Sequence, residues 1–223
     1  MDVRLWMSRD PIVATPDMPV AEAVRLMSTH RIRHLPVLER GSGRLAGLVT
    51  THDIALAAGA GIQPGSPRAL ESAGRCLVAD IMVPVAFTVR SDASIEEAAR
   101  LLRDTKLGVL PVVNDGKLVG ILTDNDVLRA FLEVAGAEDA SCEVTLELAS
   151  ATDAVADLAE LGRRHGLQIS SVVSFTHDRR RLGVVRFRGA PTEAFLDDVW
   201  RTARTVLRIR GGDPAPAPAA ASR

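Results

Sequence analysis

An internal repeat constrains this chain more than any other feature of its sequence. Residues 7–54 and residues 82–127 carry the same succession of residue types. The clearest matches are LPV at 35–37 and 110–112, and GLVTTHD at 47–53 against GILTDND at 120–126. A unit of about fifty residues is only marginally stable alone, because it buries too little surface. We therefore expect two copies of one small fold that share a core.

Each copy is predicted to have the element order β-α-β-β-α. Apolar residues at helical spacing mark the first helix of each copy, namely Val20, Ala23, Val24 and Met27, then Ile95, Ala98, Ala99 and Leu102. Strands are predicted at 12–14, 35–38 and 45–49 in the first copy, and at 87–89, 110–113 and 118–122 in the second. A second helix begins near Asp53 in one copy and near Asp126 in the other.

The motif G-[LI]-[VL]-T-x-x-D, preceded by LPV and a hairpin in both copies, resembles that of the CBS domain. The resemblance covers residues 3–133. It implies an α+β (α/β) fold in which two β-α-β-β-α repeats pack as a pseudo-symmetric pair, called a Bateman module. The expected boundaries are 1–58 for repeat 1, 59–77 for a linker and 78–135 for repeat 2.

The last third of the chain follows a different pattern. In residues 140–210, apolar residues recur at alternating positions in some segments and at helical spacing in others. This predicts the order β-α-β-β-α-β, which is that of a ferredoxin-like fold. This topology resembles the ACT domain, and the layout CBS–CBS–ACT is similar to acetoin-utilisation-type proteins. The predicted turn at 149–152 has no glycine, so an amino-acid ligand is not expected there. Residues 211–223 are rich in Pro and Ala, and we expect them to be disordered.

Composition argues against several classes of function. The formal net charge is −1 and only 3% of residues are aromatic, so neither a nucleic acid nor an anionic membrane is an expected partner. The apolar stretches are too short to span a bilayer, and the N-terminus lacks the layout of a signal peptide. Cys76 and Cys142 have no metal-ligand spacing around them. With no catalytic motif present, we expect a cytoplasmic protein that is not an enzyme and holds no metal or covalent cofactor.

Two interpretations fit the Thr-x-x-Asp pairs, which are Thr50 with Asp53 and Thr123 with Asp126. A Thr followed three residues later by an acid at the start of a helix is a capping arrangement, which needs no ligand. The same groups can also bind a ligand, because a carboxylate accepts hydrogen bonds from both hydroxyls of a ribose. The CBS resemblance implies ribose contacts at these positions.

Other candidate ligand contacts lie in and before the strands. Arg33 and His34 precede LPV in the first copy, where nucleotide-binding CBS proteins carry a basic pair that grips phosphate. The alternative is a solvated charged stretch. The second copy has Gly108 and Val109 there, so the two clefts are expected to differ. In the family pattern the first strands, with Val13 and Thr88, supply a slot for adenine, although most of these side chains suit a core equally well.

These residues lead to the hypothesis of a regulatory protein that senses AMP, ADP, ATP or a related adenosyl compound. The ligand would lie in clefts between the repeats, and the signal would pass to an unidentified protein effector. We expect a homodimer. The alternatives are a ligand-free dimerisation or interaction scaffold, and a regulatory subunit of a metabolic enzyme of the acetoin type.

Overall fold

The structure, a computed structural model, describes residues 1–58, 76–136, 142–148, 151–202 and 206–211. The chain forms two compact units, Met1–Leu128 and Arg129–Arg223. Within the described residues, no helix combines the length and the apolar character needed to cross a bilayer.

Unit 1 contains both repeats up to Leu128, within the last helix of repeat 2, and in each repeat a helix, two hairpin strands and a second helix follow in the same order. A short 3₁₀ helix (Val3–Leu5) and strand β1 (Ser8–Arg9) come first. Repeat 1 continues with α1 (Val20–His30), β2 (His34–Leu38), β3 (Leu45–Thr50) and α2 (Thr51–Ala58). Repeat 2 has α3 (Val78–Ile81), α4 (Ile95–Thr105), β4 (Val109–Asn114), β5 (Lys117–Thr123) and α5 (Asp124–Ala135). The apolar stripes of α1 and α4 are buried as predicted, because each helix packs that face onto its hairpin.

The short strands predicted at 12–14 and 87–89 are reduced to single parallel bridges. Ala14 bridges Val37, and Val89 bridges Val112. Ala14 N donates to Pro36 O at 2.8 Å and Ala14 O accepts from Leu38 N at 2.9 Å. To extend this ladder by one step, the carbonyl of residue 12 would need an N–H from Pro36, and proline has none. Pro111 blocks the equivalent step in repeat 2, so the LPV motif itself limits each first strand to one residue.

The segment that precedes each repeat pairs with the other repeat. Strand β1 adds to the hairpin of repeat 2, with Ser8 opposite Ile121 and Arg9 opposite Gly120, giving a three-stranded sheet of order β1-β5-β4. Val83 forms the equivalent bridge to Leu48 of β3, with hydrogen bonds of 2.9 and 3.0 Å. Because of this exchange, a cleft beside either hairpin is built from both repeats.

The exchange extends into the segment predicted as linker. Residues 59–75 lie outside the described residues, but Leu77 bridges Pro19, and Val20 N donates to Cys76 O at 2.9 Å. In the same way, Ile95 N donates to Met1 O at 2.7 Å. Each flanking segment thus binds the first N–H groups of a helix in the opposite repeat, groups that have no partner within the helix itself.

Unit 2 has the element order predicted from its sequence stripes. Its elements are β6 (Cys142–Glu147), α6 (Ala151–Arg164), β7 (Gln168–His177), β8 (Arg180–Arg188), α7 (Glu193–Thr202) and β9 (Val206–Gly211). The strands form one antiparallel sheet of order β7-β8-β6-β9. Its core includes Leu146, Leu158, Phe187 and Phe195, all fully buried. Gly211, predicted as the first residue of the tail, closes β9, while residues 149–150 and 212–223 lie outside the described residues.

Candidate functional site

A cleft in unit 1 has a volume of about 400 Å³. Residues 8–12 and 31–34 line it from one side, and Ile121, Thr123, Asn125 and Asp126 line it from the other. We name it the basic cleft, because three arginines and His34 contribute to its lining. Its volume lies within the range of about 300–1,000 Å³ that is typical of small-molecule sites. The hairpin and helix start of repeat 2 therefore face the polar segments of repeat 1.

The Thr–Asp pairs have the same geometry in both repeats. In repeat 2, Asp126 Oδ2 accepts hydrogen bonds from Thr123 N at 2.9 Å and from Thr123 Oγ1 at 2.7 Å. Asp126 N donates back to Thr123 Oγ1 at 3.3 Å. The corresponding distances for Thr50 and Asp53 are 2.8, 2.7 and 3.3 Å. Each pair is thus a reciprocal cap at the start of a helix.

Capping restricts what these groups can offer a ligand. The hydroxyl hydrogen of Thr123 points to Asp126 Oδ2, so this hydroxyl cannot at the same time donate to a phosphate oxygen. A carboxylate, by contrast, can accept several hydrogen bonds at once on its two oxygens. The capping interpretation and the ligand-binding interpretation are therefore compatible for Asp126, while Thr123 acts mainly by orienting that carboxylate.

His34 is half-buried at the boundary between the two repeats. A methyl group placed on Gly108 of repeat 2 would lie 3.7 Å from His34 Nε2 and 4.0 Å from Asp124 Oδ2. Burial lowers the pKa of His34 below its ordinary value, and the Arg33 guanidinium lowers it further. Asp124 and Asp53 oppose this shift of the His34 pKa without cancelling it. At neutral pH the ring is therefore uncharged, and an approaching anion would favour its protonation.

The second cleft lies at the equivalent place on the hairpin of repeat 1. Residues 83–87, Leu48, Thr105, Leu107, Val109 and Pro111 line it, and its volume is about 130 Å³. Among these residues, Thr105 alone has a polar side chain, and its hydroxyl donates to Leu101 O. We name this the apolar cleft. It offers no charged group to a ligand and is smaller than typical small-molecule sites.

Of the ligand-binding residues predicted from the sequence, some line a cleft and others do not. Arg33, His34, Thr123 and Asp126 come together in the basic cleft. Thr50 and Asp53 line neither of the two clefts, and the same is true of Val13 and Thr88. Ile12 comes directly before Val13 and lines the basic cleft. Phe87 comes directly before Thr88 and lines the apolar cleft. An apolar wall at the predicted position therefore exists, although a neighbouring residue provides it.

Three charged residues of the basic cleft were missed from the sequence, namely Arg9, Asp10 and Arg31. Arg9 and Asp10 precede the predicted first strand, and Arg31 ends α1 in a left-handed conformation with φ 54°. One signal was available. Met7 and Gly120 are related to Met82 and Gly47 by the repeat, and in each pair the methionine packs where a glycine leaves room. That pairing would have indicated that the flanking segments exchange.

Comparison with protein families shows a match to the CBS domain at residues 2–59 and 78–133. CBSX1, a chloroplastic CBS domain-containing protein of Arabidopsis thaliana, is 33% identical over 146 residues, which cover 57% of this chain and 61% of that protein. Inosine-5'-monophosphate dehydrogenase of Korarchaeum cryptofilum is 35% identical over 120 residues, covering 53% of this chain and 22% of the enzyme. The chain thus spans less than two thirds of the length of these relatives.

Among solved structures, CBSX2 of Arabidopsis thaliana in complex with AMP superposes with a TM-score of 0.51 at 31% sequence identity. The match covers 60% of this chain and 97% of that one. Both the sequence matches and this structural match thus concern mainly the part of the chain that contains the repeats.

Proposed function

The chain belongs to the CBS domain family, and from this we propose that it is a regulatory protein that binds an adenine nucleotide, or a related adenosyl compound, in the basic cleft. One observation carries the proposal. The exchange of flanking segments brings Asp126 of repeat 2 into the same cleft as Arg33 and His34 of repeat 1. The AMP complex of CBSX2, at 31% identity, supports the choice of ligand class.

Each part of such a ligand has a chemically matched partner. The Asp126 carboxylate would accept from the ribose hydroxyls, held in place by its bonds to Thr123. Arg33 would bind phosphate oxygens in a bidentate manner, and His34 would donate from a ring nitrogen. Ile12 and Ile121 would provide apolar walls for the base.

We expect one nucleotide per chain. The apolar cleft lacks a charged group and has about a third of the volume of the basic cleft. Asp53 would then serve only as a helix cap, and of the two predicted ribose contacts only Asp126 would bind the ligand.

A ligand regulates only if its affinity differs between two shapes of the protein. The output would pass to a protein effector, and we expect the chain itself to have no catalytic activity and to work in the cytoplasm. A homodimer is supported by α5, on which Leu128, Phe131 and Leu132 are 57%, 43% and 42% exposed. Analytical ultracentrifugation tests that association.

For unit 2 we propose an ACT-like role in assembly. Its support is the antiparallel sheet of order β7-β8-β6-β9 with two helices in the connections. We also propose a link to acetoin-type metabolism, and a pull-down from native lysate with the full chain would identify the effector.

A ligand-free scaffold is the second candidate. It is favoured by the completeness of the helix caps, since both Thr–Asp pairs close their hydrogen bonds without any ligand. Isothermal titration of the full chain with adenosine, AMP, ADP, ATP and S-adenosylmethionine separates the two candidates. Binding at a stoichiometry near one supports the sensor. Silence at millimolar concentrations of every compound would favour the scaffold.

A further inference from the structure

The basic cleft carries more positive charge than one phosphate group needs. Its lining holds Arg9, Arg31 and Arg33, and none of the three forms a salt bridge within the described residues. Other arginines of unit 1 do have carboxylate partners, such as Arg40 with Asp17 at 2.8 Å and Arg90 with Asp92 at 2.9 Å. The three cleft arginines thus form no ion pair with a carboxylate of the described residues, although Asp10 and Asp126 share the lining.

The three arginines come from three separately fixed pieces of backbone. Arg9 lies in β1, opposite Gly120. Arg31 caps α1, with its N–H bonded to Met27 O and Ser28 O. Arg33 O accepts from Thr51 N at 3.0 Å, which ties this residue to the start of α2. Since the backbone is held at each point, the guanidinium groups meet in one space without an entropic cost for folding a loop.

Charge at two of these three positions is not required by the fold. In the internal repeat, Pro84 is the equivalent of Arg9, Lys106 of Arg31 and Gly108 of Arg33. Lys106, like Arg31, is left-handed, with φ 56°, but it does not line the apolar cleft. At Pro84 and Gly108 the same backbone is thus built without a basic side chain, and a lining that contains arginines is a property of the basic cleft only.

We propose that the basic cleft selects a nucleoside polyphosphate, ATP or ADP, over AMP, an inference that rests on the proposed function. Arg33 and His34 suffice for a single phosphate, because one bidentate guanidinium and one ring N–H satisfy most of its oxygens. Arg9 and Arg31 then remain for a second and third phosphate, and each added group brings a further negative charge. Asp10 and Asp126 are the only carboxylates in the described lining, and Asp126 faces the ribose in our proposal.

The test is titration calorimetry of the full chain with adenosine, AMP, ADP and ATP in magnesium-free buffer. Wild type is expected to bind ATP at least about tenfold more tightly than AMP, since each charge-assisted contact is worth roughly that factor. The double variant Arg9→Gln with Arg31→Gln is expected to lose most of this preference, with ATP affinity falling at least about tenfold more than AMP affinity. Arg25→Gln is the matched control, because Arg25 is exposed on α1 and outside the cleft.

The outcomes separate this inference from the proposed function. Equal affinity for AMP and ATP in wild type would overturn the polyphosphate inference while leaving nucleotide binding intact. An equal loss of AMP and ATP affinity in the double variant would also overturn it, since Arg9 and Arg31 would then act on the part common to both ligands. Binding of none of the four compounds, nor of S-adenosylmethionine, would overturn the proposed function itself.

Discussion

The basic and the apolar cleft are built on nearly the same backbone and have opposite chemistry. Each lies beside an LPV hairpin, next to the flanking segment of the other repeat, and near a reciprocal Thr–Asp cap. Arginines line one, whereas Val83, Pro84 and Leu107 occupy the other. A duplicated fold therefore keeps its hydrogen-bonded framework in both copies, while the exposed side chains at its clefts are free to diverge.

The largest contrast is expected between Asp126→Asn and Asp53→Asn. Each change removes a charged cap, so both variants are expected to lose stability by about 0.5–2 kcal/mol. Only Asp126 lines the basic cleft, so only Asp126→Asn is expected to weaken ATP binding, by about thirtyfold or more for a charged contact to ribose. Thermal unfolding and calorimetry of the same samples measure the two effects. A similar loss of binding in both variants would mean that the clefts do not differ in function.

A smaller contrast is expected between Gly120→Ala and Gly47→Ala. A Cβ at Gly120 would lie 2.7 Å from Met7 Sδ and 2.9 Å from Ser8 O, so it would push away the flank that carries Arg9. A Cβ at Gly47 would lie 3.0 Å from Met82 Sδ and from Val83 O, beside the apolar cleft. Both variants are expected to melt at lower temperature.

ATP affinity distinguishes these two glycine variants. We expect it to fall by about five- to tenfold in Gly120→Ala, because the phosphate contact of Arg9 is displaced. In Gly47→Ala it is expected to stay within about twofold of wild type, because no residue of the basic cleft moves directly. Calorimetry at matched protein concentration provides the measurement. An unchanged affinity in Gly120→Ala would argue against a ligand contact from the flank.

The smallest effect expected concerns pH. The pKa of His34 is lowered in the folded protein, chiefly by burial and then by Arg33, so the unfolded chain binds more protons near pH 6. Stability without ligand is therefore fully present above the ordinary histidine pKa of about 6.5 and falls as the pH decreases below it. The melting temperature of wild type is expected to fall slightly more between pH 7.5 and 5.5 than that of His34→Gln. Identical pH profiles would show that the surroundings of His34 do not disfavour its charge.

Ligand binding is expected to depend on pH in the opposite direction at His34, and to be favoured by lower pH. A phosphate beside His34 stabilises the protonated ring, so ATP affinity relative to His34→Gln is expected to rise as the pH falls, by a few-fold. Val109 occupies the equivalent place in repeat 2, so the apolar cleft has no such response.

Much of the fold could be predicted from local signals. The Thr-x-x-Asp pairs determine where α2 and α5 begin, because a side chain three residues away can reach the first N–H groups of a helix. The strands at 12–14 and 87–89 were predicted too long. Their residues have strand propensity, but Pro36 and Pro111 lack the N–H group that the next hydrogen bond of the ladder needs. This effect of the two prolines can be recognised only once the strand pairing is known.

Half of the predicted site residues meet in the basic cleft, because LPV and Thr-x-x-Asp are anchored in the repeat. Arg9, Asp10 and Arg31 were missed because a repeat, considered as a closed unit, leaves its flank unassigned. Val13 and Thr88 remain predictions that the lining of the two clefts does not support, since the residue before each one faces the cleft instead. Neighbouring residues of an extended segment point to opposite sides, so an error of one position changes the face.

The sequence by itself determined the duplication, the helix caps, the hairpins and the membership of the CBS family, because these depend on contacts over a few residues or on recurring patterns. Only the tertiary structure decided which Asp faces a charged cleft and which arginines share it. The physical reason is that β1 pairs with β5, more than a hundred residues away, through backbone hydrogen bonds, and the side chains mark this pairing only where Met7 packs on Gly120.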